Sequence, residues 1–432
     1  MKKTRECFYV AMGVFLLLAL GSVPLDGARG GKEILVDIGF GDQVAHAACE
    51  GQQALLSIDR FHKLLQEYKQ EGVDKVLFRI DVLRWVNDFD WPEPNVYYKG
   101  VPQTPEEKLH LEMEEKQWAG AHYAVAHHLL KAAVDLAHQE GMQIYAYSTT
   151  FDEGMPLDKV WYAPGEHGKW DVCMHKPFDF QAVWRSPLIS KFTDAHPEYV
   201  MVDRSQKHHN WGTLEFAYPE ARAYVVEYNR RFLEEYPFDG IYIDFRNEFS
   251  HPAFGDEFGF APPIVAAYQK RYGVDILHQQ FDLEKWRRLC GEYLTKMIQE
   301  LHSMAHAKGK KLIVAIPQGN YLGLPNGNMY VDWQGWVKDR LVDGLAIGSI
   351  SGTFLFPDRI GYGYLTDMQT GKGLPNLLWD LQNNYWPLCA AHHVKLYVLG
   401  PGLGVKPALP ELLKTNVDGI YTGLRIVKQI PR

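Results

Sequence analysis

Apolar and polar positions alternate in short runs along this chain, and the runs recur. Eight apolar segments stand out, at residues 34–38, 75–81, 142–148, 238–244, 311–317, 344–349, 395–399 and 418–423. Each has the length of a buried strand. Between them lie stretches with apolar residues at helical spacing, such as 58–70, 121–139, 220–236 and 286–308. Strand–helix alternation of this kind predicts an α/β protein with a parallel sheet. Eight such units predict a (β/α)8 TIM barrel. A weak repeat supports the pattern: Asp239-Gly240-Ile241-Tyr242, Asp343-Gly344-Leu345 and Asp418-Gly419-Ile420-Tyr421. Each places Asp-Gly at the entry to a strand, where glycine is expected to serve a tight turn. The aspartates then fall on the face that serves stability rather than catalysis.

The barrel accounts for 432 residues only with long loops after the second and third strands, near 82–120 and 149–219. Both lie on the side where barrels bind substrate, and long loops there carry function. No Pro/Ser-rich linker divides the chain, so residues 31–432 read as one barrel domain with loop insertions. The first 30 residues read differently. Lys2, Lys3 and Arg5 precede an apolar run from residue 8 to 20, then Gly21-Ser22 and Pro24. That order predicts a secretory signal, with an uncleaved anchor as the alternative.

The net charge of −8 argues against a nucleic-acid partner. No apolar run reaches 18 residues, so no membrane span is expected after signal cleavage. Cys49, Cys173, Cys290 and Cys389 are too widely spaced for a zinc pattern, and their pairing is not readable.

Acidic residues gather at strand ends. Asp37 ends the first strand and Asp81 the second, in phase with Arg79. Asp152 and Glu153 follow the third; Asp244 and Glu248 close the fourth. The fourth strand alternates Ile241 and Ile243 with Tyr242 and Asp244, then meets Arg246, Asn247 and Glu248. Charges there fit a catalytic mouth, or a structural ion pair between Asp244 and Arg246. Later strands end in uncharged groups, at Gln318 and Asn320, Ser349 and Gly400. Carboxylates around a cleft suit glycoside hydrolysis, where one acid protonates the leaving oxygen and another attacks or activates water. Repulsion between them raises one pKa, as a general acid requires.

Trp85, Trp91, Trp161, Trp170, Trp184 and Trp211 fall in the two long loops, as does Trp118, so that these hold seven of the 12 tryptophans. Their rings can stack on sugars or pack the loops into a small core. Asp203 with His208-His209 reads as a polar loop, because adjacent strand histidines face opposite ways. His127-His128 reads as a solvated helix face or a helix-packing pair.

A set of motifs carries a family resemblance. His196-Pro197-Glu198-Tyr199 is followed by Leu214-Glu215-Phe216-Ala217-Tyr218-Pro219-Glu220-Ala221-Arg222, then Asp239-Gly240-Ile241-Tyr242-Ile243-Asp244, ending at Tyr272-Gly273-Val274-Asp275. The order resembles the family 10-like glycosylhydrolases, exported bacterial proteins with a barrel fold. The resemblance implies that Asp244 lies at the active-site end of the fourth strand, as nucleophile or electrostatic stabiliser. Relatives often carry an arginine three residues later; here Arg246 comes two later. Asn247-Glu248 is similar to the Asn-Glu pair of retaining barrel glycosidases, where Glu is the acid/base. That clan ends its seventh strand in a second Glu, where this chain has Val398-Leu399-Gly400-Pro401.

The expectation is therefore an exported glycoside hydrolase acting on a polysaccharide or cell-wall glycan, with no cofactor and no metal. Asp244 and Glu248 are the expected catalytic pair, with Glu153 the second choice of acid/base. Arg246, Asn247, Asp81, Arg79, Asp37, Trp85, Tyr147, Trp211, Gln318 and Asn320 are the expected substrate contacts. A carbohydrate-binding barrel without hydrolysis, or a metal-dependent hydrolase, are the alternatives.

Overall fold

The computed structural model describes residues 31–39, 58–91, 93, 105–156, 189–245, 247, 255–323, 326–348, 376–400, 409–423 and 427–428. Eight parallel strands close into a barrel: β1 (Glu33–Gly39), β2 (Lys75–Arg79), β3 (Gln143–Thr149), β4 (Gly240–Asp244), β5 (Lys311–Ile316), β6 (Gly344–Ile347), β7 (Lys395–Leu399) and β8 (Gly419–Tyr421). Each strand pairs with its neighbours in chain order, and β1 closes on β8. The expected (β/α)8 barrel is the fold.

Alternation sorts each strand's side chains into two cores. Residues such as Val36, Val76, Ile144, Ile241, Val314 and Val398 face outward to the helices. The helix Ile58–Gln70 meets them with Phe61, Leu65 and Tyr68, one stripe at helical spacing. The other phase fills the barrel with Leu35, Leu77, Ile313, Ala315, Ala346, Leu399 and five tyrosines: Tyr145, Tyr147, Tyr242, Tyr397 and Tyr421.

The repeated Asp-Gly units explain how those rings fit. None of Gly240, Gly344 and Gly419 has a left-handed φ. A Cβ at Gly240 would collide with Lys311 O and meet the Tyr145 ring at 2.7 Å. At Gly344 it would meet the Tyr397 ring at 2.8 Å, and at Gly419, Glu33 O at 2.6 Å. These glycines thus make room for neighbouring backbone and tyrosine rings, rather than serving the tight turn expected from sequence. The aspartates form a clamp. Asp239 donates its N–H to Ile144 O at 2.9 Å and accepts the Ile144 N–H on Oδ2 at 2.7 Å. Asp343 does the same with Leu312, and Asp418 with Leu396. Asp74 repeats the device on Ile34, although Lys75 stands where the glycine would be. Odd strands β1, β3, β5 and β7 are thereby fastened at their entry ends, on the side away from the strand carboxyl ends.

Two differences from the sequence expectation concern the connections. The segment after β2, expected as a loop, carries the helices Asp81–Asp88 and Pro105–Ala126. The helical stretch expected over 121–139 breaks in two, with His128 at φ 53° before the helix Leu129–Gln139. His127 stacks on Tyr123 at the exposed break. After β3, residues 157–188 lie outside the described residues. Beyond them the chain forms two short ribbons: Ile189–Ser190 pairs antiparallel with Phe89–Asp90, and Val200–Val202 with His209–Leu214. The signal expected over residues 1–30 lies outside the described residues, as do Cys49 and Cys173. Cys290 and Cys389 are free and buried. Among the described residues, no helix is long and apolar enough to cross a membrane.

Candidate active site

Asp244 is the last residue of β4, and it points into the barrel in phase with Tyr242. The register sets Tyr147 of β3 opposite Tyr242, and Thr149 opposite Asp244. The Tyr147 hydroxyl crosses between the strands and donates to Asp244 Oδ2 at 2.7 Å. Both side chains are buried. Tyr147 meets Tyr242 edge to face, with ring centres 4.9 Å apart, and Tyr242 meets Tyr421 the same way at 5.8 Å. Three tyrosines thus stand side by side beneath the mouth.

Asp37, half-buried and two residues short of the end of β1 rather than ending it as expected, acts electrostatically on the same cluster. Burial pushes the Tyr242 hydroxyl pKa well up, and the negative charges of Asp244 and Asp37 push it further. Tyr421 is raised by burial and then by Asp37, Tyr147, Tyr242 and Asp244. Both hydroxyls therefore stay protonated beside two carboxylates. The buried Tyr421 hydroxyl has no hydrogen-bond partner among the described residues. The sequence pattern does not mark Tyr242 and Tyr421, because an inward tyrosine on a barrel strand looks the same whether it is filler or mouth.

Arg79 ends β2, with its guanidinium 5.9 Å from the centre of the Tyr147 ring and Nε 3.5 Å from Asp81 Oδ2. Asp81 opens the helix Asp81–Asp88, where a negative charge suits the helix N-terminus. Its Oδ1 accepts from the Thr149 hydroxyl at 2.8 Å, tying the ends of β2 and β3 together. Asp37, Arg79, Tyr147 and Asp244 are therefore brought together at the mouth, with Asp81 behind Arg79.

The remaining expected contacts are held by other partners. Glu153 is fully buried, with Oε1 2.5 Å from Arg84 Nη2. Arg84 lies 4.1 Å from the centre of the Tyr228 ring and 4.9 Å from that of Phe89. Asn247 is buried and donates to Trp211 O at 3.0 Å and to Thr213 Oγ1 at 2.6 Å. This bridge needs Gly212, whose φ is +88° and whose Cβ would meet Asn247 Oδ1 at 2.8 Å. Trp211 is buried against His209, and Trp85 packs edge-on to Trp91. Gln318 donates to Asp380 Oδ2 at 2.8 Å, and Asn320 accepts from Trp333 Nε1 at 3.0 Å. Arg246 and Glu248 lie outside the described residues.

Asp380 is a carboxylate that the sequence pattern does not single out. It is buried, and its Oδ1 accepts from Asn384 at 2.6 Å. No local pattern marks it, since its partner Gln318 stands 62 positions earlier. Asp203 anchors a turn, as expected of a polar loop. It accepts the Ser205 hydroxyl, the Lys207 and His208 N–H groups and His208 Nδ1, which hold its carboxyl down at about 2. Among the described residues, no three His, Cys, Asp or Glu side chains gather closely enough to hold a metal ion.

A buried strand-end carboxylate in a tyrosine-lined barrel mouth accompanies a match at the sequence level. Residues 167–350 match the family Glycosyl hydrolase-like 10. The match encloses the motifs from His196 to Asp275 that carry the resemblance, and it supports a glycan-acting hydrolase. No curated protein matches the chain significantly. Among solved structures, the catalytic domain of β-amylase from Paenibacillus polymyxa is similar at 13% identity and TM-score 0.49, covering 94% of this chain and 96% of that one. β-Galactosidase from the haloarchaeon Halorubrum lacusprofundi is similar at 10% identity and TM-score 0.44, covering 90% of this chain and 52% of that one. β-Galactosidase from Marinomonas ef1 is similar at 13% identity and TM-score 0.41, covering 85% and 48%. The chain spans about half the length of the two galactosidases.

Proposed function

We propose that this protein is an exported glycoside hydrolase that cleaves a polysaccharide or cell-wall glycan at the carboxyl-end mouth of its barrel. The observation that carries the reading is the Tyr147–Asp244 pair, a buried carboxylate held at 2.7 Å by a tyrosine hydroxyl. In this reading Asp244 attacks the anomeric carbon or stabilises the positive charge that develops there. Tyr147 fixes the carboxylate's direction, so little reorganisation is needed as charge builds. Tyr421, a buried hydroxyl in the same cluster, offers its proton to a sugar oxygen. Arg79 and Asp37 contact substrate hydroxyls or charged substituents.

The acid/base is proposed to be Glu248, four residues after Asp244 in the chain. Glu153 ranks below it, because it would have to leave a buried ion pair with Arg84 to reach a glycosidic oxygen. Export rests on the basic-then-apolar order of residues 2–20. The experiment is a reducing-end release assay on plant, algal and bacterial-wall glycans, run beside Asp244→Asn and Glu248→Gln. Release by the wild type that both variants lose supports the assignment. Release that survives in Asp244→Asn refutes it.

A second reading is a carbohydrate-binding barrel without hydrolysis. It is favoured by the second half of the mouth, where β5–β8 bring no inward carboxylate among the described residues. Glycan binding without release from any substrate would select it.

A further inference from the structure

The helix that follows β6 carries a second feature suited to sugars. Trp379 is 52% exposed, whereas Trp211, Trp286, Trp333 and Trp336 are buried. It lies in the helical turn Leu377–Asp380, which runs into a π-helical turn, Leu381–Tyr385. Single π turns in helices recur at functional sites. Here the wider turn leaves three consecutive amides, Gln382, Asn383 and Asn384, on the surface.

The platform is rigidly backed. Asn376 Oδ1 accepts the Leu378 N–H at 3.0 Å and caps the turn. Asp380 is buried beneath it, held by Gln318 and Asn384. The Tyr385 hydroxyl accepts the Gly319 N–H at 2.9 Å. Gln318 and Gly319 stand just after β5, past Pro317, so these bonds pin the turn to the carboxyl end of a strand that neighbours the one ending in Asp244. From Asn376 to Tyr385 the only charged residue is Asp380, which is buried.

We propose that Trp379, with Gln382 and Asn383, forms a binding subsite for a neutral sugar residue on the rim of the barrel. An indole face covers the C–H face of a pyranose, while amides exchange hydrogen bonds with its hydroxyls. Asn383 already spends its Nδ2 on Trp379 O at 2.7 Å, which fixes its Oδ1 as an acceptor beside the ring. The absence of surface charge on this stretch fits a neutral glycan better than an anionic one. The inference rests on the glycan-acting reading above, and locates a second contact for the same polymer outside the mouth.

The test is affinity electrophoresis of the full chain through gels containing soluble starch, galactan or glycol chitin. Wild type, Trp379→Ala and Trp379→Phe are compared, each checked for unchanged melting temperature. The proposal predicts retardation by at least one polysaccharide. Trp379→Ala weakens it about five- to tenfold, the scale of one lost aromatic contact, and Trp379→Phe largely keeps it. Equal retardation of Trp379→Ala and wild type, or no retardation of wild type in any gel, overturns it. So does self-association by sedimentation that Trp379→Ala abolishes, since the ring would then be a protein contact. Reducing-end release with Trp379-independent binding sinks the subsite and leaves the hydrolase reading intact. Trp379-dependent binding without release does the reverse.

Discussion

Tyr147 and Asp244 sit on adjacent strands, and the hydroxyl of one is bound to the carboxylate of the other at 2.7 Å. Neither side chain reaches solvent. A buried carboxylate without such a donor is costly, so the tyrosine both stabilises Asp244 and sets its direction. Tyr147→Phe removes the hydroxyl and keeps the ring against Tyr242. We expect kcat on a cleaved glycan to fall about 10- to 100-fold with KM nearly unchanged, the mark of an interaction made mainly in the transition state. Stability should fall by about 1–2 kcal/mol, read by denaturant unfolding. An unchanged kcat would remove Tyr147 from the mechanism.

Glu153 and Arg84 form a pair that the alternative acid/base assignment must break. Removing one partner of a buried pair typically costs about 3–5 kcal/mol, because the other charge is left uncompensated. Glu153→Gln should therefore lower the melting temperature sharply, while activity per folded molecule stays within about threefold at a temperature where the variant is native. A variant that stays stable but loses kcat, and regains it with added azide, would make Glu153 the acid/base instead.

Glu215 gives a pH signature. It is buried, burial pushes its carboxyl up to about 7, and the Ala217 N–H lowers it only in part. The folded state therefore holds this proton more tightly than the unfolded chain, whose carboxyl titrates near 4.5. The contribution to stability is full below pH 4.5 and is lost as pH rises to about 7. Glu215→Gln should flatten the decline across that window, on the order of 2–3 kcal/mol, measured by denaturant unfolding at pH 4.5, 6 and 7.5. A decline that stays equally steep in the variant would assign it to other groups.

The glycines of the Asp-Gly units make a packing prediction. Gly344→Ala drives a methyl toward the Tyr397 ring, 2.8 Å away in the present arrangement. It should cost about 1–3 kcal/mol, as overpacking does. Gly423→Ala meets nothing within 4 Å and has no left-handed φ, so it should be close to neutral. Thermal unfolding of the two variants separates them; equal melting temperatures would show that the barrel yields around Tyr397.

The barrel was legible in the sequence because two-residue alternation and helical spacing each recur along the chain. Strands β1 to β8 fall on the apolar runs within about a residue or two of their ends. The place of Asp244 at the end of β4 was legible for the same reason, since alternation sets it in phase with Tyr242. Long-range pairing was not. The Arg84–Glu153 pair joins residues 69 positions apart, and Gln318–Asp380 joins residues 62 apart. The fourth aspartate clamp, at Asp74, was hidden because Lys75 replaces the glycine that marked the other three. The role of those glycines is ambiguous in sequence for a related reason. A turn and a close approach both select glycine, and only the neighbouring Tyr145 and Tyr397 rings tell them apart.

The most direct measurement is reducing-end release by the protein on a broad panel of glycans, with Asp244→Asn alongside. The account predicts release from at least one glycan, and a loss of at least about 1000-fold in the variant while its melting temperature is retained. Release that persists in Asp244→Asn at a comparable rate would contradict it.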